Sequence, residues 1–163
     1  MGDKLDRILE IERQLISQGR DTATDRCVID TLIEGLLHGE DIDIRERCAS
    51  ALRWVSDDSV TAPLVESISN LQEASFVREM AIEAVSYHNI DVAIPALLEC
   101  LRDTSPEVRY WAIDVIGVSG FSDAIAALKD LAEHDSAVID TGGSIADAAT
   151  RAIATILESN EPD

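Results

Sequence analysis

The sequence predicts an all-α fold, a right-handed α-solenoid (alpha-alpha superhelix) of about four two-helix repeats with an N-terminal capping helix. Two observations favour this class. One apolar pattern with helical spacing returns at intervals of 33, 31 and 37 residues, which suits two helices joined by short loops. The 163 residues are 46% hydrophobic but only 4% aromatic, a composition that favours an aliphatic core between helices.

The recurring pattern starts with a β-branched apolar residue at offset 0, followed by small or apolar residues at offsets 4, 7 and 8. These offsets share one face of an α-helix, so they predict the buried side of the second helix in each repeat. The copies begin at Ile44, Val77, Val108 and Ile145. We predict one domain over residues 1–163, with a capping helix at 3–19 and repeats at 28–60, 61–92, 93–123 and 124–158.

The other elements follow in chain order. The N-terminal segment has apolar residues at helical spacing and ends at a glycine, which predicts the capping helix; a partner-docking helix is the alternative. The first helices of the repeats are predicted at 29–37, 63–71, 94–101 and 125–131. Pro63 and Pro95 occupy matching places near the starts of their helices, where a missing N–H costs nothing. Ser105 or Thr104 is the predicted N-cap of the helix that starts near Pro106.

The third repeat carries the most specific motif, Ala93-Ile94-Pro95-Ala96-Leu97-Leu98 followed by Asp103-Thr104-Ser105-Pro106-Glu107-Val108-Arg109 and Ala112. Through these residues the chain resembles HEAT repeat proteins of the phycobilisome-lyase type, over residues 28–158. The resemblance implies an α-solenoid used as a protein-binding scaffold. In the last repeat Ala146 replaces an arginine and the loop 135–144 is longer. A terminal capping repeat is the favoured interpretation, and a mobile loop over the binding face is the alternative.

The charge of the chain constrains its partners. The net charge is −19, from 32 acidic and 13 basic residues. Such a chain repels phosphate, so we predict no nucleic acid partner and no membrane partner. A basic protein partner fits the charge, while plain solubility or adaptation to a salty cytoplasm is the alternative. We predict a monomer or a weak homodimer.

The cysteines and the N-terminus bear on location. Cys27, Cys48 and Cys100 are an odd number of widely spaced thiols, which is typical of reduced cysteines in a cytosolic protein. The first residues carry alternating charges without an apolar run, so no signal peptide is predicted. These features predict a cytoplasmic protein.

Offsets 3, 6 and 10 of the repeat point away from the core and predict the contacts with a partner. They hold Arg47, Ser50 and Trp54; Met80, Glu83 and Tyr87; Trp111, Asp114 and Val118; and Ala148, Arg151 and Thr155. The candidate binding residues among them are Arg47, Trp54, Met80, Glu83, Tyr87, Trp111 and Asp114. The HEAT resemblance implies that second helices line a concave surface, with Trp54, Tyr87 and Trp111 as anchors. Alternatively, neighbouring helices or a homodimer cover these aromatics.

Three copies carry an arginine at offset 1. These residues are Arg45, Arg78 and Arg109. We predict that they tie loops and repeats together, through acids such as Asp41, Glu73 and Asp103, rather than bind a ligand.

No pattern of catalytic chemistry stands out. His38, His88 and His134 lie in unlike contexts, and the sequence has no His-Glu dipeptide of the kind that binds iron in HEAT-like hydroxylases. We predict no catalytic residues, no metal site and no cofactor. The predicted function is a non-enzymatic protein-binding scaffold or adaptor, in its sharper form an inhibitor or immunity protein for a basic partner. The alternative implied by the resemblance is a subunit of a bilin (phycobilin) lyase or chromophore-handling complex.

Overall fold

The protein is helical throughout the part that the structure describes. The structure, a computed structural model, describes residues 2–20 and 24–160, and within them it contains nine α-helices and no β-strand. The helices are α1 (Gly2–Gln18), α2 (Arg26–His38), α3 (Ile42–Leu52), α4 (Thr61–Ser69), α5 (Ser75–Val85), α6 (Ile90–Cys100), α7 (Pro106–Ser119), α8 (Ile125–His134) and α9 (Ile145–Ser159). None of these described helices is long and apolar enough to cross a bilayer. The predicted all-α class is confirmed.

The chain divides into two compact units, and the first ends at Ala93. In this unit α2 packs against α3, and α4 packs against α5. α1, α3 and α5 lie side by side in one layer, while α2 and α4 form the second layer. The core between the layers contains aliphatic side chains without exposed surface, including Leu32, Leu52, Leu64, Ile68 and Ile82. Each such side chain stabilises the fold by about 1.5–3 kcal/mol relative to an exposed one.

The second unit starts at Ile94, inside α6, and contains α7, α8 and α9. α9 packs against both α7 and α8. Its core includes Val108, Ile113, Ile116, Leu128, Ile145 and Ile156. Because two helices cover α9, a wide face of it is buried, and this face includes Ala148, which is 3% exposed. The prediction that Ala148 lies on the open face is therefore wrong.

Burial confirms the apolar frame of the second helices. At offsets 0, 4, 7 and 8, α3, α5 and α7 bury Ile44, Cys48, Ala51, Leu52, Val77, Ala81, Ala84, Val85, Val108, Ala112, Val115 and Ile116. In α9 the first three of these offsets are buried, whereas Ile153 at offset 8 is partly exposed. The spacing in the sequence thus identifies which side of each second helix faces the core.

Of the three helix starts that prolines mark in the sequence, those near Pro63 and Pro106 are confirmed and the one near Pro95 is wrong. Ser105 is the N-cap of α7, accepting a hydrogen bond from the Val108 N–H at 3.4 Å, and Pro106 is the first residue of the helix. α6, however, begins at Ile90, so Pro95 lies inside the helix rather than near its start. The proline therefore removes one helical hydrogen bond. The earlier start follows from the turn at Asn89, whose carbonyl oxygen accepts the Val92 N–H at 3.3 Å.

α1 packs against α3 at the predicted position of the capping helix. It buries Ile8, Glu12 and Leu15. It ends at Gln18, and the following Gly19 has a φ of 71° and donates its N–H to the Leu15 carbonyl oxygen at 3.0 Å. That α1 caps the repeats, and that one domain of four repeats spans the chain, stay predictions.

The long loop before α9 folds back on itself. The Ile139 N–H donates to the Gly143 carbonyl oxygen at 2.9 Å, and the Gly142 N–H donates to the Ile139 carbonyl oxygen at 2.8 Å. An isolated bridge joins Val138 to Ser144, which is also the N-cap of α9. The loop is thus a hydrogen-bonded turn that leads directly into the last helix.

Gly117→Ala is expected to destabilise the second unit by about 1–3 kcal/mol, because α7 and α9 approach each other closely at this residue. A Cβ at position 117 would lie 2.9 Å from the Ala152 Cβ and 3.0 Å from the Ala152 Cα. This overpacking outweighs the roughly 1 kcal/mol that alanine gains over glycine inside a helix. Urea denaturation measures the effect, and a free energy of unfolding for Gly117→Ala as high as that of the wild type would contradict the prediction. The double variant Gly117→Ala/Ala152→Gly should recover part of the loss.

Candidate functional site

Two of the predicted anchors, Trp54 and Tyr87, lie beyond the ends of their helices. α3 ends at Leu52 and α5 ends at Val85, so both aromatics belong to the turns that follow. Trp54 is partly exposed, and Tyr87 is 48% exposed. Their predicted placement on the faces of the second helices is therefore wrong, although both side chains reach solvent.

Two arginines lie over these aromatic rings. The guanidinium carbon of Arg53 is 5.2 Å from the centre of the Trp54 ring and 5.7 Å from that of Tyr87. The guanidinium carbon of Arg20 is 5.3 Å from the Tyr87 ring. Each such cation–π contact contributes about 0.5–1 kcal/mol at an exposed site. Arg53 also donates to Glu83 Oε1 at 2.6 Å. The five residues Arg20, Arg53, Trp54, Glu83 and Tyr87 form what we call the aromatic–arginine cluster.

Arg20 fixes the cluster to the backbone. Its guanidinium donates to the carbonyl oxygens of Arg53 and Tyr87, the latter at 2.6 Å. Both carbonyls follow the C-termini of helices, where the helix dipole favours a cation. The Ser56 hydroxyl donates in turn to the Arg20 carbonyl oxygen. Burial lowers the pKa of Arg20 and Tyr87 opposes this shift, but a guanidinium keeps its proton at neutral pH.

His88 supports the cluster from the turn after α5. Its Nε2 lies 3.0 Å from the Leu52 carbonyl oxygen. Burial lowers the pKa of His88, and the hydrogen bond to Leu52 opposes that shift. Because a carbonyl oxygen can only accept, the ring donates its Nε2–H and ties the turn after α5 to the end of α3.

Arg47, another predicted contact, is exposed but already paired. Its Nη1 lies 3.8 Å from Glu12 Oε2, and its Nε lies 3.3 Å from Glu46 Oε2. Ser50 on the same helix donates to Glu12 Oε1 at 2.6 Å. Burial raises the pKa of Glu46, whereas Arg47 lowers it. α1 therefore contacts part of the α3 face that the sequence predicted to be open.

The other predicted contacts are not members of the cluster. Met80 is partly exposed on α5. In the second unit, Trp111 is partly exposed and packs edge to face against Tyr110, with ring centres 6.4 Å apart. Asp114 is exposed and lines a groove between α7 and α9 together with Arg151. Arg151 donates to the Tyr110 hydroxyl at 3.2 Å.

The structure thus brings Trp54, Glu83 and Tyr87 together and adds two arginines that sequence reasoning missed. Arg53 stands directly before Trp54, and this neighbouring position was the available indication. Nothing in the sequence pointed to Arg20, which lies outside the repeats and meets Tyr87 across 67 residues of chain.

Arg45 and Arg109 hold loops together, as predicted for arginines at offset 1. Arg45 donates to both carboxylate oxygens of Glu73 at 2.7 and 3.0 Å, and to a carbonyl oxygen of the α2–α3 loop at 2.7 Å. Arg109 donates to both oxygens of Asp135 at 2.8 and 3.2 Å, and to the Asp103 carbonyl oxygen at 2.8 Å. Each guanidinium therefore connects the loop before its own helix to the loop one repeat further on. We call these contacts the arginine clamps.

The third arginine of this set, Arg78, is 5% exposed. Its Nε donates to the Ile68 carbonyl oxygen in the last turn of α4 at 2.9 Å. Asp41, one of the predicted acidic partners, is instead the N-cap of α3 and accepts the Asp43 N–H at 3.1 Å. Arginine at this offset has structural contacts in all three copies.

Cys48 is buried where α2 and α3 pack closely, whereas Cys27 is exposed. Burial raises the pKa of the Cys48 thiol to about 12, so it stays protonated at neutral pH. A Cβ on Gly35 would lie within 2.4 Å of Cys48 Sγ, which shows how closely α2 and α3 approach there. Within residues 2–20 and 24–160, no three His, Cys, Asp or Glu side chains are arranged to hold a metal ion.

Paired helices, repeated apolar frames and arginine clamps together define a helical-repeat protein of the α-solenoid class. A sequence profile for HEAT repeats matches residues 29–103 and 71–146, which together span well over half of the chain. The chain therefore belongs to the HEAT repeat family. No curated protein matches the sequence. HEAT repeats generally form scaffolds for protein–protein interaction.

Proposed function

We propose that the chain is a non-enzymatic scaffold or adaptor that binds another protein through its second helices and the turns that follow them. The aromatic–arginine cluster carries this proposal. Trp, Tyr and Arg dominate the energetics of protein interfaces, and here all three stand together, partly open to solvent. Hydrogen bonds hold the two arginines in place over the aromatic rings before a partner arrives, so less side-chain entropy is lost on binding.

The partner we propose is a basic protein. The net charge of −19 attracts a basic surface over long distances and accelerates its approach. The cluster acts in the contact itself, where its two arginines can donate to carbonyl oxygens and carboxylates of the partner and its glutamate can accept from N–H groups. An inhibitor or immunity protein that neutralises a basic toxin or nuclease is the sharper form of this proposal.

The remaining candidate residues are proposed as further partner contacts, each within its own unit. Arg47 and Met80 belong to the first unit, where they lie on the second helices α3 and α5 and would contribute less binding energy than the anchors of the cluster. Trp111 and Asp114 belong to the second unit and are at least partly exposed on α7.

A bilin lyase subunit is the second candidate. It rests on the resemblance of the third repeat to the phycobilisome-lyase type and on the partly exposed rings of Trp54 and Trp111, which can stack on a flat tetrapyrrole. Mixing the purified chain with a phycobilin would then change the visible absorption spectrum of the pigment.

Trp54→Ala is expected to weaken binding of the partner by at least about tenfold, while the helical circular dichroism signal stays nearly unchanged. Affinity capture from a lysate of the source organism, at low and moderate salt, supplies the partner. Calorimetric titration of that protein then compares the wild type, Trp54→Ala, Trp111→Ala and the control Leu157→Ala. Leu157 is 54% exposed in the second unit, outside the candidate set, so its loss should leave affinity unchanged.

Three outcomes decide the matter. A single basic protein, lost as salt rises and weakened by Trp54→Ala, supports the proposal. A captured protein whose affinity is the same for Trp54→Ala and Leu157→Ala contradicts the role of the cluster. A copurified pigment in place of a protein favours the bilin lyase candidate.

A further inference from the structure

Three large apolar side chains are exposed at one edge of the first unit. Ile42 and Phe76 lie in the first turns of α3 and α5, at 47% and 51% exposure. Leu71 is 75% exposed in the loop before α5, because α4 ends at Ser69 and not at the predicted residue 71. We call the segments 38–44 and 69–76 that carry these side chains the loop edge.

The Arg45 clamp holds the two segments of the loop edge together. Its guanidinium donates to the Gly39 carbonyl oxygen at 2.7 Å and to both oxygens of Glu73 at 2.7 and 3.0 Å. Glu73 Oε1 also accepts the Ala74 N–H at 2.8 Å. Since the side chains of Arg45 and Glu73 are only 18% and 8% exposed, this clamp is shielded from water and salt. The loop edge therefore presents its apolar side chains on backbone that is already fixed.

The charge around the loop edge is negative. An open depression of about 680 Å³ adjoins Ile42. It is lined by Lys4, His38, Glu40, Asp41, Ile42 and Ile44. Asp43 is exposed in the same segment, and Glu66 lines a smaller groove together with Glu73. Because Glu73 already neutralises Arg45, the exposed acids give the surface around the loop edge a negative net charge.

We propose that the loop edge is a second docking surface, distinct from the aromatic–arginine cluster, for a protein segment that carries large apolar side chains flanked by lysine or arginine. Burial of Ile42, Leu71 and Phe76 supplies the hydrophobic gain. The exposed acids select basic flanks and reject acidic ones. A second copy of this chain would place acids against acids, and an anionic membrane would be repelled for the same reason.

Selection from a random peptide library displayed on phage, with the full chain as bait, tests this proposal. The enriched peptides should combine large apolar residues with lysine or arginine. Synthetic versions should lose about tenfold or more in affinity for the double variant Leu71→Ser/Phe76→Ser. For Glu40→Gln/Asp43→Asn, affinity should fall and depend less steeply on salt.

The chain offers a matched control in its second unit. Val118 and Leu157 are 74% and 54% exposed, close to the values for Leu71 and Phe76. Val118→Ser/Leu157→Ser should therefore leave peptide affinity within about twofold, since it removes similar exposed surface elsewhere. Leu71→Ser/Phe76→Ser and Val118→Ser/Leu157→Ser should both keep the wild-type circular dichroism spectrum and denaturation midpoint, because all four of these apolar side chains are at least half exposed.

Other outcomes overturn the inference. Enriched peptides that lack basic residues, or no enrichment at all, would do so. Peptides that lose affinity for Trp54→Ala but not for Leu71→Ser/Phe76→Ser would place the binding at the aromatic–arginine cluster, leaving the proposed function intact. A dimer in sedimentation experiments that the loop-edge variant converts to a monomer would identify a second copy of the chain as the occupant.

Discussion

Ala112→Asp is expected to unfold the second unit. Ala112 has no exposed surface and occupies offset 4 of α7, on the face that packs into the core. An unpaired carboxylate there costs several kcal/mol, a large fraction of the roughly 5–15 kcal/mol by which domains are stable. Far-ultraviolet circular dichroism and a urea titration at neutral pH measure the loss.

The same substitution at Ala154 is the control. Ala154 is exposed on α9 in the same unit, so Ala154→Asp introduces the same charge without burying it. Its effect should stay at about 1 kcal/mol, because aspartate forms helix less readily than alanine and adds a negative charge toward the C-terminus of α9. An Ala112→Asp variant as stable as Ala154→Asp would show that the repeat frame is misplaced on α7.

Arg109→Met is expected to lower the free energy of unfolding by about 3 kcal/mol. The Arg109 and Asp135 side chains are only 12% and 15% exposed, so the substitution leaves a nearly buried carboxylate without its guanidinium. It also removes the hydrogen bond to the Asp103 carbonyl oxygen. Adding Asp135→Asn should restore part of the loss, because the neutral amide is cheaper to bury. Urea denaturation of the four chains in this cycle gives the coupling energy.

The effect of Arg109→Met should depend on pH in a defined direction. Burial alone would raise the pKa of Asp135, but its hydrogen bonds from Arg109 and Ala137 bring it below the ordinary value of 3.8. The pair therefore stabilises the fold fully above that ordinary value, and this contribution disappears as pH falls through the lower folded-state pKa. The difference between wild type and variant should shrink in acid. The exposed Arg151, replaced by Met as a control, should show a small difference at every pH.

Helical periodicity predicted the core well, because burial repeats with the turn of the helix. Every frame position of α3, α5 and α7 is buried, and Ser105 is the N-cap that local chemistry predicted. The same periodicity did not predict the residues at which the helices end. α7 ends at Ser119 and is followed by Gly120, which adopts a left-handed conformation, whereas α3 and α5 are each 11 residues long and have no glycine after their last residue.

The predictions for the candidate site were the most affected, because they depended on where the second helices end. Offset 10 falls within α7 at Val118, but in α3 and α5 it falls in the turns that carry Trp54 and Tyr87. Arg20 could not be predicted as their partner, because it joins them from a segment that no repeat pattern describes. Sequence spacing predicts contacts along one helix, while contacts between distant turns depend on how the helices stack.

The arginine clamps have a consequence for how chains of this kind change length in evolution. Arg45 and Glu73 are 28 residues apart, and Arg109 and Asp135 are 26 residues apart, so each clamp reaches from one repeat only to the next. Each clamp therefore belongs to a junction between neighbouring repeats rather than to one repeat. A gene segment that is gained or lost together with both sides of such a junction keeps its arginine opposite a carboxylate. An insertion or deletion that divides a junction would leave an arginine or an acid without its partner.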